Sequence, residues 1–244
     1  MNEVLIDEFC LGYYGFGELH SKYWFVGMEE GGETTAEDCK NDIEKWDKKP
    51  TSVIRDADII NTKAWEMFFS PEAKKIQKTW RGIIQLLLSI ENKPMDREDI
   101  LNFQKKELGR ENGNNLLLEL LPLPNRNTAK WTYSSYELPQ FSSRIKYYRH
   151  YTPERIKRIK KLIAEYNPKV VVFYSKIYVK NWKAIIGIDE NNEKDSSFII
   201  KKDSWFIIKK NETIFVICNH PSCYNKKEYY PELGKEIRLR LNAK

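Results

Sequence analysis

Two short segments carry the residue types best suited to chemistry. Thr213 to Ser222 (TIFVICNHPS) is an apolar run that delivers His220 at a turn stiffened by Pro221. Tyr23 to Val26 is a second apolar run, and it ends in Gly27-Met28-Glu29-Glu30-Gly31-Gly32, which places carboxylates on a glycine-rich loop. In open α/β sheets, ligands bind outside the carboxyl ends of the strands. A carboxylate and a histidine delivered by two such ends can therefore face one substrate. The carboxylate would stabilise a developing cation or orient a water, and the imidazole would donate a hydrogen bond to a developing anion.

The elements that must position these groups follow from periodicity. Asn114 to Leu121 and Lys169 to Tyr174 read as two further buried strands, and Thr213 onward is the fourth. Pro122-Leu123-Pro124-Asn125-Arg126-Asn127 ends the Asn114 strand, because proline cannot donate to a ladder. Ile59 to Ile90 shows helical spacing, with Pro71 expected in a first turn, and Ile100, Leu101 and Phe103 mark a short amphipathic segment. Thr152-Pro153 predicts a helix start whose apolar face is Ile156, Ile159, Ile163 and Tyr166, and Tyr178 to Ile186 predicts another helix. Asp7 to Ser21 reads as a loop, and Phe198 to Ile200 with Trp205 to Ile208 reads as a hairpin. Helical connections between continuous apolar strands predict a three-layer α/β/α sandwich around a mainly parallel four-stranded sheet. No repeat or boundary divides residues 1–244, so one domain is expected.

Composition narrows the class. Hydrophobic residues make up 41% and charged residues 31% of 244 residues, enough for a core under a hydrated surface. No apolar run approaches the ~20 residues of a membrane helix, and the amino terminus is neither a signal nor a transit sequence, so a cytoplasmic protein is expected. The formal net charge of +6 favours acidic partners. Arg144 to Lys161 concentrates basic residues among Tyr147, Tyr148 and Tyr151, a composition that suits either phosphate and base contacts or a solvated helix face. Cys10, Cys39, Cys218 and Cys223 form no CxxC pair, so reduced thiols without a metal are expected.

Taken in order, the motifs resemble those of the uracil-DNA glycosylase-like superfamily. Gly27-Met28-Glu29-Glu30-Gly31 looks like the Gly-Met-Asn-Pro-Gly motif, and His220-Pro221-Ser222 matches the second motif outright. Pro122-Leu123-Pro124-Asn125-Arg126 looks like the Pro-Pro-x-Asn-Arg segment of the iron–sulfur members, although the cysteines do not match their cluster pattern, so no cofactor is expected. The resemblance spans roughly Tyr23 to Tyr230 through few matched positions. It implies a monofunctional DNA glycosylase that flips a base out of DNA and hydrolyses its N-glycosidic bond. The family's main class blocks 5-substituted bases with a tyrosine at the fifth position of the first motif. Gly31 stands there instead, which implies room for a bulky 5-substituted base and a likeness to anti-phage glycosylases acting on glucosylated hydroxymethylcytosine. Repair of uracil or damaged bases, a non-catalytic DNA-binding module and a hydrolase of free nucleosides are the competing implications.

Within that resemblance Glu29 takes the carboxylate role, with Glu30 as its rival because the motif's usual proline is missing. One charge pair at ~4 Å and an effective dielectric near 20 is worth roughly 4 kcal/mol, about a thousandfold in rate. His220 donates to the departing base. Gly31, Asn115 and Glu119 are the base-binding candidates. Glu119 is conspicuous inside an apolar strand, and it can accept from an exocyclic amine or pair with a strand-end cation. Asn125, Arg126, Ser222, Tyr224, Lys226 and Lys227 are the candidates for DNA contact, with Tyr224 as a wedge. A monomer acting on DNA, without metal, is the expectation.

Overall fold

The computed structural model describes residues 2–32, 35–52, 66–125, 131–188, 205–223 and 227–243. Its strands are β1 (Gly15–Gly17), β2 (Tyr23–Glu29), β3 (Thr51–Ser52), β4 (Asn115–Leu121), β5 (Val170–Tyr174), β6 (Trp205–Lys210) and β7 (Thr213–Cys218). Its helices are α1 (Glu3–Gly12), α2 (Ala36–Glu44), α3 (Lys78–Ile90), α4 (Arg97–Lys106), α5 (Arg144–Tyr166), α6 (Val179–Ile186) and α7 (Tyr229–Asn242). The four apolar runs become the central strands β4, β2, β5 and β7, all mutually parallel. They are wholly or almost wholly buried, as a parallel sheet covered on both faces requires.

The sheet is larger than expected. It has seven strands in the order β3-β1-β4-β2-β5-β7-β6 and is mixed, which corrects the four-stranded expectation. The additions are edge strands: β1 runs antiparallel to β4, β3 pairs parallel with β1, and β6 runs antiparallel to β7. β1 and β3, three and two residues long, are too short for periodicity to reveal, whereas Trp205 to Ile208, read as a hairpin strand, lies in β6. In β1, Gly15 and Gly17 have φ of 140° and 117°, and a Cβ there would lie 2.1 Å from the Leu117 carbonyl oxygen and 2.4 Å from that of Asn115. Glycines that read as a loop are thus what lets the chain lie against β4.

Period-two alternation splits the core in two. Trp24, Val26, Leu116, Leu118, Val171, Phe173 and Phe215 face α1, α2, α5 and α6. Phe25, Leu117, Val172, Val216 and Cys218 face α3, α4 and α7. The α/β/α layering therefore holds, with helices on each side.

Several local expectations are corrected. The segment after Asn2 is the helix α1, whose Asn2 side chain accepts from Val4 and Leu5 N–H groups and whose Ile6, Phe9 and Cys10 are buried. Pro71 lies outside regular structure, and α3 begins at Lys78 with Gln77 Oε1 accepting from Trp80 N–H at 2.8 Å. Helix α5 starts nine residues before Pro153, capped by Ser143, so Thr152 is a buried mid-helix residue. An internal proline costs about 3 kcal/mol. Burial of Tyr147 and Tyr151 on the preceding two turns, at about 1.5–3 kcal/mol for each large apolar group, offsets it. The hairpin at the edge is β6–β7, turning at Asn211 with φ 54°. Phe198 to Ile200 lies outside the described residues. Among the described residues no helix is long and apolar enough to cross a membrane.

Candidate active site

Counted along the chain, the parallel strands stand in the order second, first, third, fourth. Connections leave β2 and β5 in opposite directions, so a crevice opens beyond their carboxyl ends. Glu29 ends β2, Tyr174 ends β5, and His220 follows β7 by two residues.

One register row builds the floor of this crevice. Glu119 on β4 pairs with Gly27 on β2, and Tyr174 on β5 pairs with Cys218 on β7. Because Gly27 has no side chain, the Tyr174 hydroxyl reaches over β2 and donates to Glu119 Oε1 at 2.7 Å. A Cβ at Gly27 would lie 2.2 Å from Glu119 Oε2 and 2.3 Å from Tyr174 Oη. Burial pushes the Glu119 carboxyl up to about 8, against the lowering effect of the Tyr174 hydrogen bond. At neutral pH it is mostly protonated. The Tyr174 ring meets the His220 ring edge-on, with centroids 5.3 Å apart.

The histidine is held from several sides. Ser222 N–H donates to His220 Nδ1 at 3.2 Å, and Ser222 Oγ lies 2.8 Å from the same nitrogen. Burial lowers the imidazole pKa, so the ring is neutral at pH 7. With Nδ1 accepting, the neutral ring carries its proton on Nε2, a donor. The strand end before it is clamped by α7: Asn219 N–H donates to Tyr229 Oη and Tyr230 Oη donates to Asn219 O. Pro221 seats on α3 at Gly82, where a Cβ would lie 2.8 Å from Pro221 Cβ.

At the carboxyl end of β2, Glu29 is gripped by Arg144 from the start of α5. Arg144 Nε donates to Glu29 Oε2 at 3.3 Å and Nη2 lies 2.9 Å from Oε1. The Glu29 side chain is only 9% exposed. Burial raises its pKa, while the Arg144 charge and hydrogen bond pull it back down. For Glu30, burial, with a contribution from Asp42, pushes the carboxyl up to about 7. The Glu30 carbonyl accepts from Asn125 N–H at 2.9 Å, which ties the glycine-rich loop to the Pro122–Asn125 segment. Gly31 is exposed, and a Cβ there meets nothing within 4 Å.

The edge therefore gathers Glu29, Glu30, Gly31, Glu119, Asn125, His220 and Ser222. Glu119 Oε2 is sealed from solvent, so its contact with the crevice runs through Tyr174. Asn115 is at the other, amino end of β4. Its amide accepts from Gly109 N–H at 2.8 Å and donates to Glu107 O at 3.0 Å, so it braces a turn. Ser222 is spent on the histidine, and Lys227 is exposed. Arg126, Tyr224 and Lys226 lie outside the described residues. The basic Arg144 to Lys161 segment divides: Lys146, Arg149, Lys157, Lys160 and Lys161 are exposed, whereas Tyr147, Tyr151 and Arg155 are core. Arg155 is fully buried and donates to the carbonyls of Leu11, Tyr13, Glu119 and Leu120 beneath the Tyr14 ring.

Sequence reasoning missed Arg144, Tyr174 and Gly27 as parts of the site. Tyr174 was the detectable one, a polar tip closing an otherwise apolar VVVF run. Among the described residues, no group of three or more His, Cys, Asp and Glu side chains is placed to hold a metal. The chain matches no protein-family model. It matches no curated protein sequence either.

Proposed function

We propose that this chain is a monofunctional DNA glycosylase, which hydrolyses the N-glycosidic bond of a base turned out of DNA and leaves an abasic site. The observation that carries this reading is an Arg144-paired Glu29 at the carboxyl end of β2 together with a neutral, Nε2-protonated His220 just beyond the carboxyl end of β7. As the C1′–N bond breaks, Glu29 faces the developing positive charge of the sugar and orients the attacking water. The Arg144 charge and hydrogen bond favour its ionised form, against the larger opposing effect of burial. The Nε2–H of His220 donates to the base carbonyl as negative charge collects there, a role a neutral imidazole fills without giving up its proton. The water oxygen joins C1′ and its proton passes to a carboxylate; Glu30, poised near 7, is suited to receive it.

The open space at Gly31 supports a large base, and a 5-substituted cytosine such as a glucosylated hydroxymethylcytosine of phage DNA is the substrate we assign. The enzyme would then act in the cytoplasm, in defence against phage with modified DNA. One observation favours a second reading. The ion pair that holds Glu29 would also suit a non-catalytic DNA-binding module in which Glu29 is purely structural. Glu29→Gln separates the two. In an assay of alkali-labile abasic sites, the glycosylase reading predicts a loss of ~100- to 1000-fold with the circular dichroism spectrum intact, from the one charge removed. Unchanged abasic-site formation by a folded variant would refute the assigned role of Glu29.

A further inference from the structure

Beside the histidine turn lies an open groove of roughly 630 Å³ whose walls include Lys74, Lys75, Lys78, Arg81 and Arg97, and which ends at Ser222. All five cations are exposed. Among the described residues, no carboxylate lies within ion-pair distance of any of them. Two of them, Lys74 and Lys75, sit on an irregular stretch that is nevertheless pinned. Gln104 of α4, fully buried, donates through Nε2 to Phe68 O at 2.8 Å and Lys75 O at 3.0 Å, and accepts from Gln77 N–H at 3.0 Å. Arg97 Nη2 donates to Lys74 O at 2.7 Å. The charges are therefore gathered on a fixed frame. An exposed face of one sign attracts a polyanion. Helix α3, which carries Lys78 and Arg81, also seats Pro221 at Gly82, so the groove and the histidine turn share one rigid support.

We propose that this groove holds the phosphodiester backbone of a DNA strand running past His220, through sequence-independent contacts from Lys74, Lys75, Lys78, Arg81 and Arg97. The choice of DNA rests on the glycosylase reading above; the basic groove itself does not. None of these residues belongs to the motifs that first suggested nucleic-acid chemistry.

The test is fluorescence anisotropy with a labelled, unmodified single-stranded oligonucleotide, titrated over a range of salt. The triple variant Lys74→Gln/Lys78→Gln/Arg81→Gln alters exposed side chains only, and its melting temperature confirms folding. Loss of three phosphate contacts should flatten the plot of log K against log salt by about 2, and weaken binding ~100-fold near 0.1 M salt. A second triple variant, Lys157→Gln/Lys160→Gln/Lys161→Gln on exposed α5, removes the same charge elsewhere and should change affinity by less than about 3-fold. Equal weakening by both triples, an unchanged affinity in the groove variant, or no binding by the unaltered protein at low salt would each overturn the proposal. Binding is read without base release, so the two readings fail separately. Groove-dependent binding without abasic sites would sink the glycosylase alone. Abasic-site formation with groove-independent binding would sink the groove alone.

Discussion

Replacing Arg144 with methionine should expose how far the guanidinium favours the ionised form of Glu29. The guanidinium makes contacts of 2.9 and 3.3 Å to a carboxylate whose side chain is 9% exposed, while its own is 21% exposed. Breaking a buried pair by removing one partner costs about 3–5 kcal/mol, and an exposed pair is worth only about 0–1. The partial exposure of Arg144 moves the expected loss toward ~2–3 kcal/mol at pH 7. For a protein of this size that is a fall of roughly 5–10 °C in melting temperature. The loss should depend on pH with a definite sign. Without Arg144, burial holds the folded-state pKa of Glu29 further above its unfolded value near 4.5. The folded state then binds more protons between those two values, so the variant loses stability as pH rises through that window. Below about 4.5 the deficit should nearly vanish. Urea denaturation of wild type, Arg144→Met, Glu29→Gln and the double variant gives the full cycle, and Glu29→Gln should restore most of what Arg144→Met removes. A deficit under ~0.5 kcal/mol, one independent of pH, or one not rescued by glutamine would show that Arg144 does not act on Glu29 through its charge.

Other perturbations read different parts of the site. Gly27→Ala drives a methyl into Glu119 Oε2 and Tyr174 Oη, so urea denaturation should show a loss of ~2–4 kcal/mol from strain and the broken hydrogen bond. Glu119 has a folded pKa near 8, raised by burial, so its contribution to stability is complete below about 4.5 and lost as pH rises through 8. Glu119→Gln, which still accepts from Tyr174, should flatten the pH dependence of the urea midpoint between pH 5 and 9 and stabilise the alkaline end. Arg155→Met removes hydrogen bonds to four carbonyls and should cost about 3–5 kcal/mol by thermal melting, although the basic segment around it reads as either a phosphate contact or a solvated helix face.

How much of this was legible in the chain differs by element. The four buried strands were, because unbroken runs such as Lys169 to Tyr174 have no competing interpretation between Asn167-Pro168 and the next turn. The edge strands β1 and β3 were not: they span three and two residues, and β1 depends on glycines that signal loops in isolation. The start of α5 was misplaced because proline chemistry at Thr152-Pro153 is a local signal, whereas the aromatic packing of Tyr147 and Tyr151 that overrides it is tertiary. Two-residue periodicity puts Glu119 and Asn115 on one face of β4, but it does not say which end of the strand meets the site. Asn115 sits four residues upstream, bracing a turn. The partners of Glu29 and Glu119 come from α5 and β5, far along the chain, and only the register across Gly27 brings Tyr174 within reach.

The most direct measurement incubates purified protein with oligonucleotides carrying unmodified, uracil-containing or glucosylated hydroxymethylcytosine bases, and identifies any freed base by mass spectrometry. A glycosylase of this mechanism releases the intact modified base and leaves an abasic site, and Glu29→Gln does not. No base released from any of these DNAs by a folded, DNA-binding protein would contradict the glycosylase reading.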